Sequence, residues 1–76
     1  TAPVYPREIV QAALRHQATG IILAHNHPGG SLNPSSADIE ATKRIISACD
    51  TINVRVMDHI IVAGEKYFSF ADNGLI

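Results

Sequence analysis

Two histidines, a serine and an aspartate stand close together in the stretch HNHPGGSLNPSSAD, residues 25–38. If the apolar run before His25 is a strand that continues through His27, both imidazoles project from one face, with Cα atoms about 6.5–7 Å apart. Asp38 would lie in the first turn of a following helix, where its carboxylate can turn back toward the strand end. Two imidazoles and one carboxylate match the three protein ligands of a catalytic zinc site, which keeps a fourth position for water. His25, His27 and Asp38 are therefore candidate metal ligands.

The same stretch also has a purely structural interpretation. Ser35-Ser36-Ala37-Asp38 fits a helix start at which a serine and an acid three residues later satisfy backbone N–H groups. Capping requires neither histidine, however, and it is the combination of His25, His27, Pro28, Ser35 and Asp38 that favours a metal site. The two interpretations are compatible, because a serine at a helix start can also orient a metal-bound water.

The elements around this stretch follow from the spacing of apolar residues. Pro6 and the apolar residues after it predict a helix over residues 6–18. The uninterrupted run Ile21–Ala24 predicts a strand covered on both faces. Ser35 opens a second helix that ends near Asn53, and residues 54–63 and 67–70 predict a strand and its hairpin partner. This order predicts an α/β layer sandwich with a small mixed sheet.

Composition narrows the class of protein further. A chain of 76 residues with 46% hydrophobic side chains can form one compact domain. No apolar run reaches the length of a membrane span, and the first residues lack the pattern of a signal peptide, so a soluble, cytoplasmic chain is expected. The net charge of −1 and the scattered basic residues argue against a nucleic-acid partner. The single cysteine, Cys49, is expected to be a buried thiol.

A family resemblance rests on the residues just described. His25, His27, Pro28, Ser35 and Asp38 resemble the JAMM motif of the MPN/JAB metalloprotease-like domains. The segments YPREIVQAAL, DHIIV, YFSF and Asn73-Gly74-Leu75 are similar to the bacterial RadC branch of that family, along essentially the whole chain. The resemblance implies an α-β-α layer sandwich of MPN/JAB type, an architecture shared with cytidine deaminases. It also implies one Zn²⁺ ligated by His25, His27 and Asp38, with Ser35 hydrogen-bonding near the metal-bound water or the developing oxyanion.

The resemblance also indicates what this chain would lack. JAMM enzymes have a glutamate well upstream of the histidine pair that acts as general base and acid. None of the three glutamates here is expected to replace it, since Glu8 is on the first helix, Glu40 should face solvent and Glu65 is in a hairpin turn. We therefore expect residues 1–76 to be the C-terminal part of a single JAB/MPN domain, without its first strands. Such a chain should bind zinc and hydrolyse very little.

Three classes of function are consistent with these patterns. The first is a zinc-dependent hydrolase of peptide or isopeptide bonds in its full-length context, acting on a peptide or protein. The second is a non-catalytic metal-binding or protein-interaction module, against which the intact motif argues. The third is a DNA-repair-associated role, implied only by the RadC name and unsupported by the charge. Zinc deaminase chemistry is disfavoured because the HxE and PCxxC signatures are missing.

Two further expectations concern the rest of the chain. His59, which follows Asp58, should either make a structural hydrogen bond or lie near the site. A sheet that lacks strands has an exposed edge, through which two copies could pair as a dimer.

Overall fold

A computed structural model describes residues 6–76. Its elements are, in chain order, α1 (Pro6–Arg15), β1 (Gly20–Asn26), α2 (Ser36–Thr51), β2 (Arg55–Ala63) and β3 (Lys66–Ser69). The strands form one sheet in the order β1-β2-β3, in which β1 and β2 are parallel and β2 and β3 antiparallel. The predicted α/β class with a small mixed sheet is confirmed. Of the two helices described, neither has the length and hydropathy needed to cross a membrane.

The first helix ends earlier than predicted and the second ends near Asn53 as expected, and a residue with left-handed backbone closes each of them. After α1, Gln17 has φ 51°, and the Ala18 N–H donates to the Ala13 carbonyl at 2.9 Å. After α2, Asn53 has φ 58°, and the Val54 N–H donates to the Cys49 carbonyl at 2.9 Å. Such bonds satisfy carbonyls that the last helical turn would otherwise leave unpaired.

One hydrophobic core lies between the helices and the sheet. It joins Ala13 of α1 and Ile45 and Cys49 of α2 to Leu23 of β1, to Val54 just before β2 and to Val56 within it. Ile45 and Cys49 are completely buried. Burial raises the pKa of the Cys49 thiol, with a further contribution from the nearby Asp50 charge. The expectation that Cys49 is a buried thiol is confirmed.

The opposite face of the sheet is open in the part of the chain described. Ile22 is 63% exposed, and Val62 and Tyr67 on the neighbouring strands are also exposed. The prediction that β1 is covered on both faces is therefore wrong for residues 6–76. The physical reason is that α1 and α2 contribute to the same core cluster, on the side of the sheet to which Leu23 points.

Candidate metal centre

The three candidate ligands come together at the carboxyl end of β1. His25 Nε2 and His27 Nε2 lie 2.8 Å apart. The Asp38 carboxylate lies beside both rings, with Oδ2 at 3.2 Å from His27 Nε2 and Oδ1 at 3.6 Å from His25 Nε2. One ligand atom from each residue can be chosen so that all lie within 4.8 Å of one another. The carboxyl ends of strands are where open α/β sheets place their ligands.

Backbone pairing holds the two histidines on one side of β1. His25 is in the strand, and His27 stays in line with it because its N–H donates to the Val62 carbonyl of β2 at 2.9 Å. Asn26, between them, points the other way and is exposed. The chain then turns sharply, since the Gly30 N–H donates back to the His27 carbonyl and Gly30 has φ +80°. Glycine is favoured there because other side chains rarely adopt this conformation.

The start of α2 aims the Asp38 carboxylate at the imidazoles. Ser35 is the N-cap, and its Oγ accepts a hydrogen bond from the Asp38 N–H at 3.0 Å. In return, the Ser35 N–H donates to Asp38 Oδ2 at 2.8 Å. This reciprocal pair is the capping box that the sequence suggested, and it holds the carboxylate where the candidate metal site needs it. The capping interpretation is thus confirmed, and the same carboxylate lies beside both histidines.

The charge of Asp38 is favoured by these contacts. Burial by itself raises the pKa of the carboxyl, but the hydrogen bonds from the Ser35 backbone and side chain, together with the neighbouring His25 and His27, lower it. The net effect is a pKa below the ordinary value of 3.8. The positive end of the α2 dipole acts in the same direction. Asp38 is therefore an anion at neutral pH, as a metal ligand must be.

The orientation of His27 leaves a lone pair facing the other two ligands. His27 Nδ1 lies 2.9 Å from the Ser31 carbonyl oxygen, which can only accept, so the ring donates its hydrogen there. In the neutral ring, Nε2 then carries no hydrogen. Metal-binding histidines commonly donate their second N–H to such an acceptor. The donor set of two imidazole nitrogens and one carboxylate suits zinc better than magnesium or calcium.

A chain of hydrogen-bonding groups continues behind His25. His25 Nδ1 lies 2.7 Å from His59 Nε2, and His59 Nδ1 lies 2.7 Å from Thr42 Oγ1. The buried His59 ring also stacks on Phe70, with ring centroids 4.5 Å apart. His59 thus fulfils both expectations, since it makes a hydrogen bond and lies at the site. Desolvation lowers the pKa of both His25 and His59, although the Asp38 charge partly opposes the shift.

Thr42 is the residue of this site that sequence reasoning missed. It lies four residues after Asp38 in α2, and side chains at this spacing share a helix face. The signal available in the sequence was a threonine at this spacing from a candidate ligand. The pattern alone could not show that β2 brings His59 to meet it.

An open cavity of about 350 Å³ lies beside the cluster. Its lining consists of the following residues: His27, Pro28, Gly29, Ser31, Asn33, Ser35 and Asp38. Ser35 thus lies at the cavity as well as in the helix cap. In residues 6–76, the glutamates are not part of the cluster. Glu8 and Glu65 are exposed, and Glu40 Oε1 lies 3.9 Å from Lys43 Nζ.

Comparison with known proteins shows the family of this chain. The family model of the RadC-like JAB domain matches residues 1–75. UPF0758 protein YeeS of Escherichia coli (strain K12) is 48% identical over 73 residues, which are 96% of this chain and 49% of that protein. UPF0758 protein HEAR2468 of Herminiimonas arsenicoxydans is 55% identical over 71 residues, which are 93% of this chain and 32% of that protein. The chain spans about a third to a half of the length of these curated relatives. It belongs to the family of RadC-like JAB domains.

Proposed function

We propose that this domain is the zinc-binding part of a JAMM-type hydrolase, which cleaves a peptide or isopeptide bond in its full-length context. The observation that carries the proposal is the convergence of His25 Nε2, His27 Nε2 and the Asp38 carboxylate beside an open cavity. Three protein ligands leave a position for water, as in catalytic zinc sites, whereas a closed structural site uses four. Within residues 6–76, the candidate group contains these three residues.

Each side chain of the cluster has a definite part in this proposal. His25 and His27 hold the ion as neutral donors, and Asp38 supplies the negative charge that offsets it. Zinc bound there would polarise a substrate carbonyl and lower the pKa of a water to about 7. Ser35 Oγ accepts from the Asp38 N–H, so its own hydroxyl hydrogen is free to donate toward the cavity. There it would stabilise negative charge that develops on the carbonyl oxygen of the substrate.

The general base is proposed to come from outside this chain. Glu8, Glu40 and Glu65 lie away from the cluster, and the chain spans half or less of its curated relatives. Residues 1–76 would accordingly be the C-terminal part of a longer JAB domain. A positioned acid or base contributes about 10²–10⁴-fold to a rate. The chain alone should therefore bind zinc but hydrolyse its substrate slowly.

Zinc binding is tested by measuring the metal content of the purified chain after loading and desalting. We expect one zinc per wild-type chain and a large loss in His27→Ala and in Asp38→Ala. His16→Ala is the matched control, because His16 is exposed and lies just after α1. Equal zinc in all four samples would contradict the proposal.

Hydrolysis is tested on the full-length protein, with a linear peptide and a lysine-linked isopeptide as substrates. We expect zinc-dependent cleavage of one of them, which chelation or Asp38→Asn removes. A zinc-loaded full-length protein that cleaves neither substrate would instead favour a metal-binding module without catalysis.

A further inference from the structure

The hydroxyl group of Thr42 can donate only one hydrogen bond, yet it has two close neighbours. Thr42 Oγ1 lies 2.7 Å from the Asp38 carbonyl oxygen and 2.7 Å from His59 Nδ1. The carbonyl carries no hydrogen, so the hydroxyl hydrogen must lie between the two oxygens. Thr42 Oγ1 then acts as an acceptor toward the imidazole. His59 Nδ1 must consequently be the nitrogen that carries the ring hydrogen.

The same reasoning assigns the position of the ring hydrogen on His25. A neutral imidazole has one N–H, so a hydrogen on His59 Nδ1 leaves His59 Nε2 as an acceptor. His25 Nδ1, at 2.7 Å, must donate to it. The neutral His25 ring then has its lone pair on Nε2, the atom that faces Asp38 and lies 2.8 Å from His27 Nε2. Because neither of these two nitrogens carries a hydrogen in the neutral rings, a cation is needed between them to complete the contact. The order of donors from His25 to the Asp38 carbonyl is therefore fixed at every step.

Packing prevents these groups from changing partners easily. Thr42 is 1% exposed and His59 is 3% exposed, so a bond lost here has little water to replace it. The stacked Phe70 ring restricts rotation of His59. Because His59 pairs with Leu23 in the parallel register, it lies beside His25 on the inner face of the sheet.

We infer that Thr42 and His59 are positioning residues, which set the tautomer of His25 so that its Nε2 lone pair is presented to the metal. The inference rests on the proposed zinc site and deepens it, since it names the residues that make His25 a competent ligand. Partners of this kind behind metal-binding histidines typically change metal affinity by about 10- to 100-fold when removed. Thr42 and His59 are not among the three residues that would hold the ion.

The tautomer is tested directly by NMR of the metal-free chain labelled with ¹⁵N at its histidine rings. Spectra are recorded at a pH well above the ordinary histidine pKa of 6.5. We expect His25, His27 and His59 all to carry the hydrogen on Nδ1. The exposed His16 serves as an internal reference for an unconstrained ring. A His25 ring that carries its hydrogen on Nε2 and none on Nδ1 in the folded wild-type chain would overturn the inference.

Zinc affinity, measured by competition with a chelator, tests the consequence. Thr42→Val removes the acceptor at nearly constant shape, and we expect it to weaken zinc binding by about 10- to 100-fold. Thr42→Ser restores the hydroxyl and should recover most of the affinity. Thr51→Val is the matched control, since Thr51 makes the same type of bond to the Ser47 carbonyl at the exposed end of α2. Circular dichroism checks that each variant is folded.

The two measurements distinguish failure of this inference from failure of the proposed function. A wild-type chain that binds no zinc contradicts the proposed function, but the metal-free spectra still decide the tautomer. Folded Thr42→Val with wild-type zinc affinity overturns the positioning role and leaves the zinc site intact. Loss of affinity in Thr42→Val that Thr42→Ser rescues, together with the expected tautomers, supports it.

Discussion

Replacing Asp38 by asparagine separates the two tasks of this side chain. The amide oxygen can still accept from the Ser35 N–H, which Asp38 Oδ2 now does at 2.8 Å, but the charge is lost. A hydrogen bond to a charged acceptor contributes about 1.5–3 kcal/mol, against about 0.5–1.5 kcal/mol for a neutral one. We therefore expect metal-free Asp38→Asn to be less stable by about 1 kcal/mol, or about 4–8 °C for a domain of this size.

Acid should remove this difference in stability between the wild type and Asp38→Asn. Because the pKa of Asp38 in the folded chain lies below 3.8, the carboxylate stabilises the fold above that pH. Its contribution is lost as the pH falls through the lower folded-state value. The stability of the wild-type chain should then approach that of Asp38→Asn in acid.

Zinc should increase the difference in stability between the wild type and Asp38→Asn. At a free zinc concentration 100 times the dissociation constant, binding stabilises the fold by about 2.7 kcal/mol, or about 11–22 °C. If losing the carboxylate weakens binding by about 100-fold, the same zinc stabilises the variant by only about 0.4 kcal/mol, or about 2–3 °C. The assay is thermal unfolding followed by circular dichroism, with and without zinc, and His16→Ala as control.

The decisive quantity is the change in melting temperature that zinc causes, and not the melting temperature of either protein by itself. A capping role alone would lower the melting temperature of Asp38→Asn equally with and without zinc. An equal zinc-induced shift in the wild type and in Asp38→Asn would therefore refute the assignment of Asp38 as a ligand.

Substitutions at four other residues test the remaining parts of the structure. Ser35→Ala should cost about 1 kcal/mol of stability and Ser35→Gly only a few tenths, yet both should slow full-length hydrolysis by about 10²–10³-fold, measured by peptide cleavage. Phe70→Leu should cost about 1–3 kcal/mol in urea unfolding, because Phe70 is fully buried and stacks on His59. Ile45→Ala should cost about 2–5 kcal/mol in the same assay, as expected for a completely buried isoleucine. Burial raises the pKa of Asp58, but hydrogen bonds from the Ser69 hydroxyl and the Ala71 N–H outweigh it and bring the pKa below 3.8. The stability that Asp58 contributes should therefore be lost in acid, and Asp58→Asn should flatten that part of the curve of stability against pH.

The sequence was sufficient for the local features of the site. The spacing of His25 and His27 placed both on one face of a strand, and Ser35 and Asp38 marked the helix start whose capping box the structure contains. These features are predictable because they depend on backbone periodicity and on contacts within a few residues. The order of strands and helices, and hence the α/β class, followed from the same periodicities.

Tertiary structure decided what lies behind and around that site. His59 is 34 residues from His25, and only the parallel register of β1 and β2 brings the two rings to 2.7 Å. Thr42 meets His59 only because α2 packs across β2. The open outer face of β1 was also unpredictable from its apolar run, since the side on which helices pack is a property of the whole chain. Local pattern therefore determined which side chains could bind a metal, whereas non-local register and packing determined which nitrogen of His25 faces it.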